Sequence, residues 1–261
     1  EFSKGKFEEI KKELEEFLGS VNVKADYVIP ISAKNGDNVA KKSENISWYE
    51  GKTLLEALDA FSIREPEESA VLRFPVQDVY LIDGKRIYVG RVESGNIAEG
   101  DEVVLLPSGK ETKIKSIEKF LEKPTKAFAG ECIGITLTDP WFVERGEMIC
   151  KKDSLPKVTG TIHASVFWMV KEPYKKGEKI ILKCTTQEVP CTVQEISKKI
   201  DSSSLQLLEE NASELKETEV AELIIKTDSP IAVDDFNKIR ETGRFVFERN
   251  KDAVAGGIIN L

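Results

Sequence analysis

Near residue 70 the hydrophobic period of this chain changes from helical to alternating, and it does not change back. From there to about Lys152 short strands are expected at 71–80, 86–94, 102–106, 111–118, 131–138 and 147–151. Turn signals separate them: Asp83-Gly84, Glu99-Gly100-Asp101, Pro107-Ser108-Gly109, Ala129-Gly130 and Arg145-Gly146. Ser154-Leu155-Pro156 marks a boundary. A second β-rich stretch comes after it, at 158–169, 179–185, 189–198, 204–208, 217–226 and 244–249, with Gly177, Gly243 and Gly256-Gly257 at or near turns. Short strands at this spacing imply closed barrels or sandwiches, because closure removes exposed sheet edges.

The first 61 residues read as α/β. Phe7, Ile10, Leu14, Phe17 and Leu18 recur at helical spacing, and Gly19 is a stop signal. The apolar run Asp26-Tyr27-Val28-Ile29-Pro30-Ile31 suits a buried strand, and the polar turn Ser32-Ala33-Lys34-Asn35-Gly36-Asp37 ends it. A second helix comes next, with Thr53 as N-cap, Glu56 completing a capping box, and Leu54, Leu55, Leu58 and Phe61 as its apolar stripe. One strand and two helices cannot cover a sheet. This segment is therefore expected to pack on the β-rich domains, to be incompletely ordered, or to be the end of a larger domain. The absence of an initiator Met before Glu1-Phe2-Ser3 fits a fragment. Residues 62–69, acidic and broken by Pro66, read as a linker. The expected domains are 1–65, 66–154 and 155–261.

Composition excludes several classes of function. The net charge is −8, and the three segments carry −3, −3 and −2, so none is a basic nucleic-acid module. The densest lysine stretch, Lys110 to Lys126, is diluted by Glu111, Glu118 and Glu122 and reads as a solvated strand face. No apolar run is long enough to span a membrane, and no signal peptide is visible. Cys132, Cys150, Cys184 and Cys191 form no Cys-x-x-Cys, and His163 is the only histidine, so no metal site is expected. Reduced, buried cysteines in a cytoplasmic protein are the reading.

Catalytic motifs are missing. Gly51-Lys52-Thr53 has the second half of a phosphate-binding loop, but the first glycine would fall on Ile46, so it reads as a turn and helix cap. Asn237-Lys238-Ile239-Arg240 lacks the final Asp of a guanine-reading motif. His163 lies in a strand-like run and is not read as a general base. No catalytic residue is assigned.

A resemblance emerges from the residues that remain. Ser32-Ala33-Lys34 resembles the fifth guanine-nucleotide motif of translation-factor-type GTPases. Gly36-Asp37-Asn38-Val39, Ser43-Glu44-Asn45, Trp48-Tyr49-Glu50-Gly51 and Thr53-Leu54-Leu55-Glu56 extend it. Arg73-Phe74-Pro75-Val76-Gln77, Gly90-Arg91-Val92-Glu93-Ser94-Gly95 and Arg145-Gly146-Glu147 are similar to the second-domain barrel of that superfamily. Thr242-Gly243-Arg244-Phe245-Val246 with Ala255-Gly256-Gly257-Ile258-Ile259 resembles the end of its third domain. Leu106 to Glu111, Val166-Phe167-Trp168-Met169 and Glu172-Pro173 look most like CysN, the GTPase subunit of sulfate adenylyltransferase. Asp83 to Val89 is closer to elongation factors.

The resemblance implies a mainly β fold: two consecutive β-barrels, translation-factor domains II and III, preceded by an α/β remnant of a P-loop GTPase domain. It implies guanine contact at Ser32, Ala33 and Lys34. GTP and Mg2+ belong to the intact parent, and this chain by itself is expected to hold neither tightly. The implied activity is coupling of GTP hydrolysis to formation of adenosine 5′-phosphosulfate from ATP and sulfate, beside a CysD-like ATP-pyrophosphatase partner. The alternatives are an elongation factor of the Tu/1-alpha type, with tRNA as partner, and a non-catalytic adaptor using the same barrels.

Overall fold

The computed structural model describes residues 2–20, 23–62, 71–139, 141–202 and 206–261, and the chain divides into two compact units, Glu1–Glu65 and Pro66–Leu261. All of the expected linker except Ser62 lies outside the described residues.

In the first unit, α1 runs Lys4–Ser20 and α2 runs Leu54–Asp59, with a short 3-10 turn at Glu44–Ile46 between them. The capping box is present: the Thr53 hydroxyl accepts from the Glu56 N–H, and the Glu56 carboxylate accepts from the Thr53 N–H at 2.8 Å. The expected strand at 26–31 does not form; a bend sits at Asp26 and the residues after it join no ladder. A strand's donors and acceptors need a neighbour, and among the described residues of this unit none offers one. Tyr27 and Ile31 are accordingly exposed. Much of each helix's apolar stripe is also exposed, with Ile10 at 51% in α1, Leu58 at 51% in α2 and Phe61 just beyond α2 at 62%, while Phe7, Leu18 and Leu54 are half-buried.

The second unit is all β. Its first barrel comprises β1 (Phe74–Ile82), β2 (Lys85–Arg91), β4 (Glu102–Leu106), β5 (Lys110–Glu118), β7 (Cys132–Leu137) and β8 (Met148–Lys151). They close in the order β1-β2-β7-β5-β4-β8, with β8 returning to β1. The small pair β3 (Asn96–Ala98) and β6 (Lys126–Phe128) lies outside this ring and was not expected; each is only three residues long. Asp83 and Gly84, both at positive φ, make the two-residue turn between β1 and β2, and Ile82 pairs with Lys85 across it. Phe74, Val76, Tyr88, Leu105, Ile135 and Ile149 fill the barrel.

The second barrel comprises β9 (Lys157–Trp168), β11 (Lys179–Cys184), β12 (Gln187–Asp201), β15 (Glu219–Val233), β16 (Arg244–Arg249) and β17 (Asp252–Asn260). The order is β11-β16-β17-β9-β15-β12, and β11 also pairs with β12, so the ring closes. β13 (Leu207–Glu210) adds to the far side of β12, and β10 (Tyr174–Lys175) pairs with β14 (Glu214–Leu215). Trp168, Tyr174, Leu182, Ile225 and Phe247 are in its core.

β17 corrects the placement of Gly256-Gly257 at a turn. Both lie inside a strand, between β16 and β9. A Cβ on Gly257 would come within 2.5 Å of the Phe245 ring, so the glycine makes room for an aromatic rather than for a turn.

The barrels share one apolar cluster, in which Val104, Leu106, Met148 and Cys150 of the first meet Ala232 of the second. Beside it Arg73, 3% exposed, reaches across to Asp234 with two parallel bonds, Nε to Oδ2 at 2.7 Å and Nη2 to Oδ1 at 2.8 Å. Arg73 Nη1 donates to the carbonyls of Leu72 and Ser154, and the Thr242 hydroxyl donates to Asp234. The ion pair is buried with much of its hydrogen-bonding capacity satisfied, the condition under which burying charge is tolerable.

Candidate functional site: the turn at Ser32

The Ser32-Ala33-Lys34 turn is built from its own backbone and two buried polar residues. The Ser32 N–H donates to the Asp37 carbonyl at 3.2 Å, and the Ser32 carbonyl accepts from Gly36 N–H at 2.8 Å. Asn38, 1% exposed and at φ +54, ties the turn to its surroundings. Its amide donates to the Pro30 carbonyl at 3.0 Å, its side-chain oxygen accepts from Ser43 N–H at 2.8 Å, and its carbonyl accepts from Leu54 N–H at 2.9 Å. Asn tolerates the left-handed region better than most residues, and here the conformation aims all three groups. Asp37 holds the other side, accepting from the Ser43 hydroxyl and, at 3.1 Å, from the Asn45 amide.

The result is a fixed loop with Ala33 and Lys34 on its exposed outside. Among the described residues nothing accepts from the N–H of Ala33 or Lys34. Two backbone donors without a partner on an anchored, exposed turn can donate to a carbonyl oxygen of a ligand. A cleft of about 420 Å3 opens beside it, lined by Ser32, Asn35, Phe7, Ile46 and Trp48 among others. Trp48 packs on Phe7 with ring centroids 5.3 Å apart, and its indole N–H donates to the Phe2 carbonyl.

Among the described residues no three His, Cys, Asp or Glu side chains gather as a metal-ligand cluster. His163 sits on the outer face of β9, opposite Asn260 of β17. Burial pushes the thiols of Cys150, Cys184 and Cys191 up to about 12, far from the thiolate a nucleophile needs. Cys132 corrects the expectation of four buried cysteines, because its side chain faces outward from β7. Gly51-Lys52-Thr53 is a cap: Thr53 starts α2, and the Lys52 ammonium donates to the Tyr27 hydroxyl at 3.1 Å.

The lysine-rich stretch is only partly the solvated face expected of it. Lys113 pairs with Glu102, and Lys119 with Glu122 and Glu131. Lys115 and Lys123, however, line a groove of about 830 Å3 on the first barrel. Sequence reading missed this groove, because its parts come from β1, β2, β5, β7, the β1–β2 turn and three loops, those of Glu99, of Lys123 and of Asp139 and Phe142; the adjacent cations Lys85-Arg86 were the available signal.

At the mouth of the second barrel, the Trp168 indole N–H donates to the Glu172 carbonyl at 2.9 Å. The Arg249 guanidinium lies over the Trp168 ring and pairs with Glu178 at 2.9 Å.

The profile described as "Elongation factor Tu domain 2" matches residues 85–150, and "GTP-eEF1A C-terminal domain-like" matches 161–260. The chain is 33% identical over 247 residues to "Sulfate adenylyltransferase subunit 1" of Alteromonas mediterranea, covering 94% of this chain and 52% of that protein. It is 34% identical over 264 residues to "Elongation factor 1-alpha" of Methanosphaerula palustris, covering 98% and 62%. The chain thus spans about half to three-fifths of the length of these relatives. The solved structure of sup35 complexed with GDP superposes with a TM-score of 0.71 at 19% identity, covering 100% of this chain and 65% of that one, which shows the fold alone. Two barrels in this order, each matched by its own profile, with homologues of both kinds over nearly the whole chain, give the protein the fold of the translation-factor GTPase superfamily.

Proposed function

We propose that this chain is the carboxyl-terminal part of a CysN-like GTPase subunit of sulfate adenylyltransferase. In that role GTP hydrolysis on the whole protein drives a CysD-like ATP-pyrophosphatase partner to form adenosine 5′-phosphosulfate from ATP and sulfate in the cytoplasm. The observation that carries it is the opening of the second barrel. There the Trp168, Glu172 and Pro173 run that resembles CysN is held by one set of contacts with Tyr174, Glu178 and Arg249. The similarity to sulfate adenylyltransferase subunit 1 supports the same reading.

On this reading residues 1–65 end the GTPase domain, 66–154 are the first barrel and 155–261 the second. Ser32, Ala33 and Lys34 form the guanine turn; the exposure of Ala33 and Lys34 and the lack of an acceptor for their N–H groups among the described residues are what supports that role. The phosphates and Mg2+ would be held elsewhere in the parent. Coupling requires that nucleotide favour one arrangement of the parts over another, since a ligand shifts an equilibrium only by its differential affinity.

The elongation-factor reading rests on the near-equal identity to elongation factor 1-alpha. The two separate by binding. The chain is expected to associate with the purified ATP-pyrophosphatase subunit of its source and not with aminoacyl-tRNA at physiological salt. Binding of aminoacyl-tRNA with a steep salt dependence would reverse the assignment. Without a phosphate-binding loop the chain is also expected to show no micromolar GTP binding in calorimetry.

A further inference from the structure

The groove on the first barrel combines three features. Its lining includes a hydroxyl pair, Ser116 and Thr136, whose oxygens lie 2.6 Å apart, with Glu118 accepting from Ser116 at 2.7 Å. Two apolar side chains in the lining stand unusually far into solvent, Leu81 at 74% and Phe142 at 76% exposure. Four cations share the lining: Lys85, Arg86, Lys115 and Lys123. Among the described residues none of the four has an ion-pair partner, whereas lysines around them, such as Lys113, Lys119 and Lys151, are paired. The lining holds three carboxylates, Glu99, Glu118 and Asp139, and the last two already accept from Ser116 and Thr112 hydroxyls. Four cations against three carboxylates leave the groove a formal balance of 4 − 3 = +1, on a chain of net charge −8.

The loop that supplies Lys123 adds a fourth feature. At its tip Phe120 is 88% and Leu121 90% exposed, and Leu121 is held at φ +60. A leucine in the left-handed region is strained by about 1–2 kcal/mol relative to its ordinary conformations. A turn under no further demand is served better by Gly or Asn. Strain combined with full exposure of a large apolar side chain marks a residue shaped for contact.

We infer that this groove and the Phe120–Leu121 tip are a docking surface for a partner protein whose contact face offers apolar side chains flanked by carboxylates. The inference rests on the reading above, in which that partner is the ATP-pyrophosphatase subunit. The exposed apolar side chains here, Leu81, Leu121, Phe120 and Phe142, are aliphatic and aromatic in equal number, and such a mixed patch beside unpaired cations suits a protein face with an apolar centre and an acidic rim. The even acidity of the three segments would also repel a polyanion at long range.

The test titrates the chain with the purified ATP-pyrophosphatase subunit in calorimetry. The variants are L81D, F142D, L121D and the double K85E/K123E; F167D, on the outer face of the second barrel, is the control. All of the substituted positions are at the surface, and circular dichroism verifies folding. Each of the four groove and tip variants is expected to weaken binding at least tenfold, F167D to bind as wild type, and added salt to weaken the wild-type complex. Wild-type binding that the groove and tip variants leave unchanged would overturn the docking surface and leave the subunit reading intact. Failure of the folded wild type to bind the subunit would overturn both. Binding of aminoacyl-tRNA that L81D and K85E/K123E abolish would identify the groove as a nucleic-acid site and overturn the inference.

Discussion

Arg73 and Asp234 illustrate how much one residue pair carries here. Each charge is buried, and each is neutralised chiefly by the other. Removing one partner leaves an uncompensated buried charge, which costs about 3–5 kcal/mol. D234N and R73A are each expected to lower stability by that amount in urea unfolding. Cysteine reactivity gives a second check. The buried thiols, raised to about 12 by desolvation, should resist a disulfide reagent, while exposed Cys132 reacts. One rapid thiol in the folded chain and four after denaturation is the expected count; a second rapid thiol would contradict the burial of the other three. Thr53, Glu56 and the turn at Ser32 were legible in the sequence, because capping and turn chemistry act within a few residues. The roles of Arg73, Asp234 and Gly257 were not, since their partners lie far along the chain.

α2 is short enough that its cap decides whether it forms. T53A removes the hydroxyl that accepts from Glu56 N–H and is expected to cost about 1 kcal/mol, read as faster hydrogen exchange of the first-turn amides. The Thr53 backbone N–H holds the Glu56 carboxyl below its ordinary value of 4.5. A carboxylate whose pKa is lowered by folding stabilises the fold above its unfolded value, and that support disappears as pH falls through the folded value. The first turn of α2 should therefore loosen below about pH 4.5, and E56Q should remove that dependence. In β17 the relevant constraint is packing. G257A would drive a methyl into the Phe245 ring and is expected to cost about 1–3 kcal/mol by overpacking. The same strand shows why β17 was missed: a Gly-Gly pair reads as punctuation until a neighbouring strand shows what it accommodates.

The two barrels behave as one body in this structure because they share both a buried ion pair and an apolar cluster. A chain of residues 71–261 is expected to unfold in a single calorimetric transition. In D234N the transition should broaden or split, as the barrels lose part of what couples them. Among its described residues the first unit has only Ile46 and Ala57 as buried apolar side chains, and its helices keep much of their apolar stripes exposed. It is expected to be the first part to exchange its amides, by hydrogen exchange and mass spectrometry.

Alternating hydrophobicity and turn residues sufficed to announce a run of short antiparallel strands after residue 70, and local motifs sufficed to announce the helix cap and the anchored turn. These features depend on neighbours in sequence, so they are written in it directly. The closure of each ring, the ion pair across the barrels, the failure of 26–31 to become a strand and the cation-lined groove depend on groups brought together from distant positions. Folding alone determines which donors find acceptors and which side chains meet across a sheet, and one chain's pattern of residues does not carry that pairing.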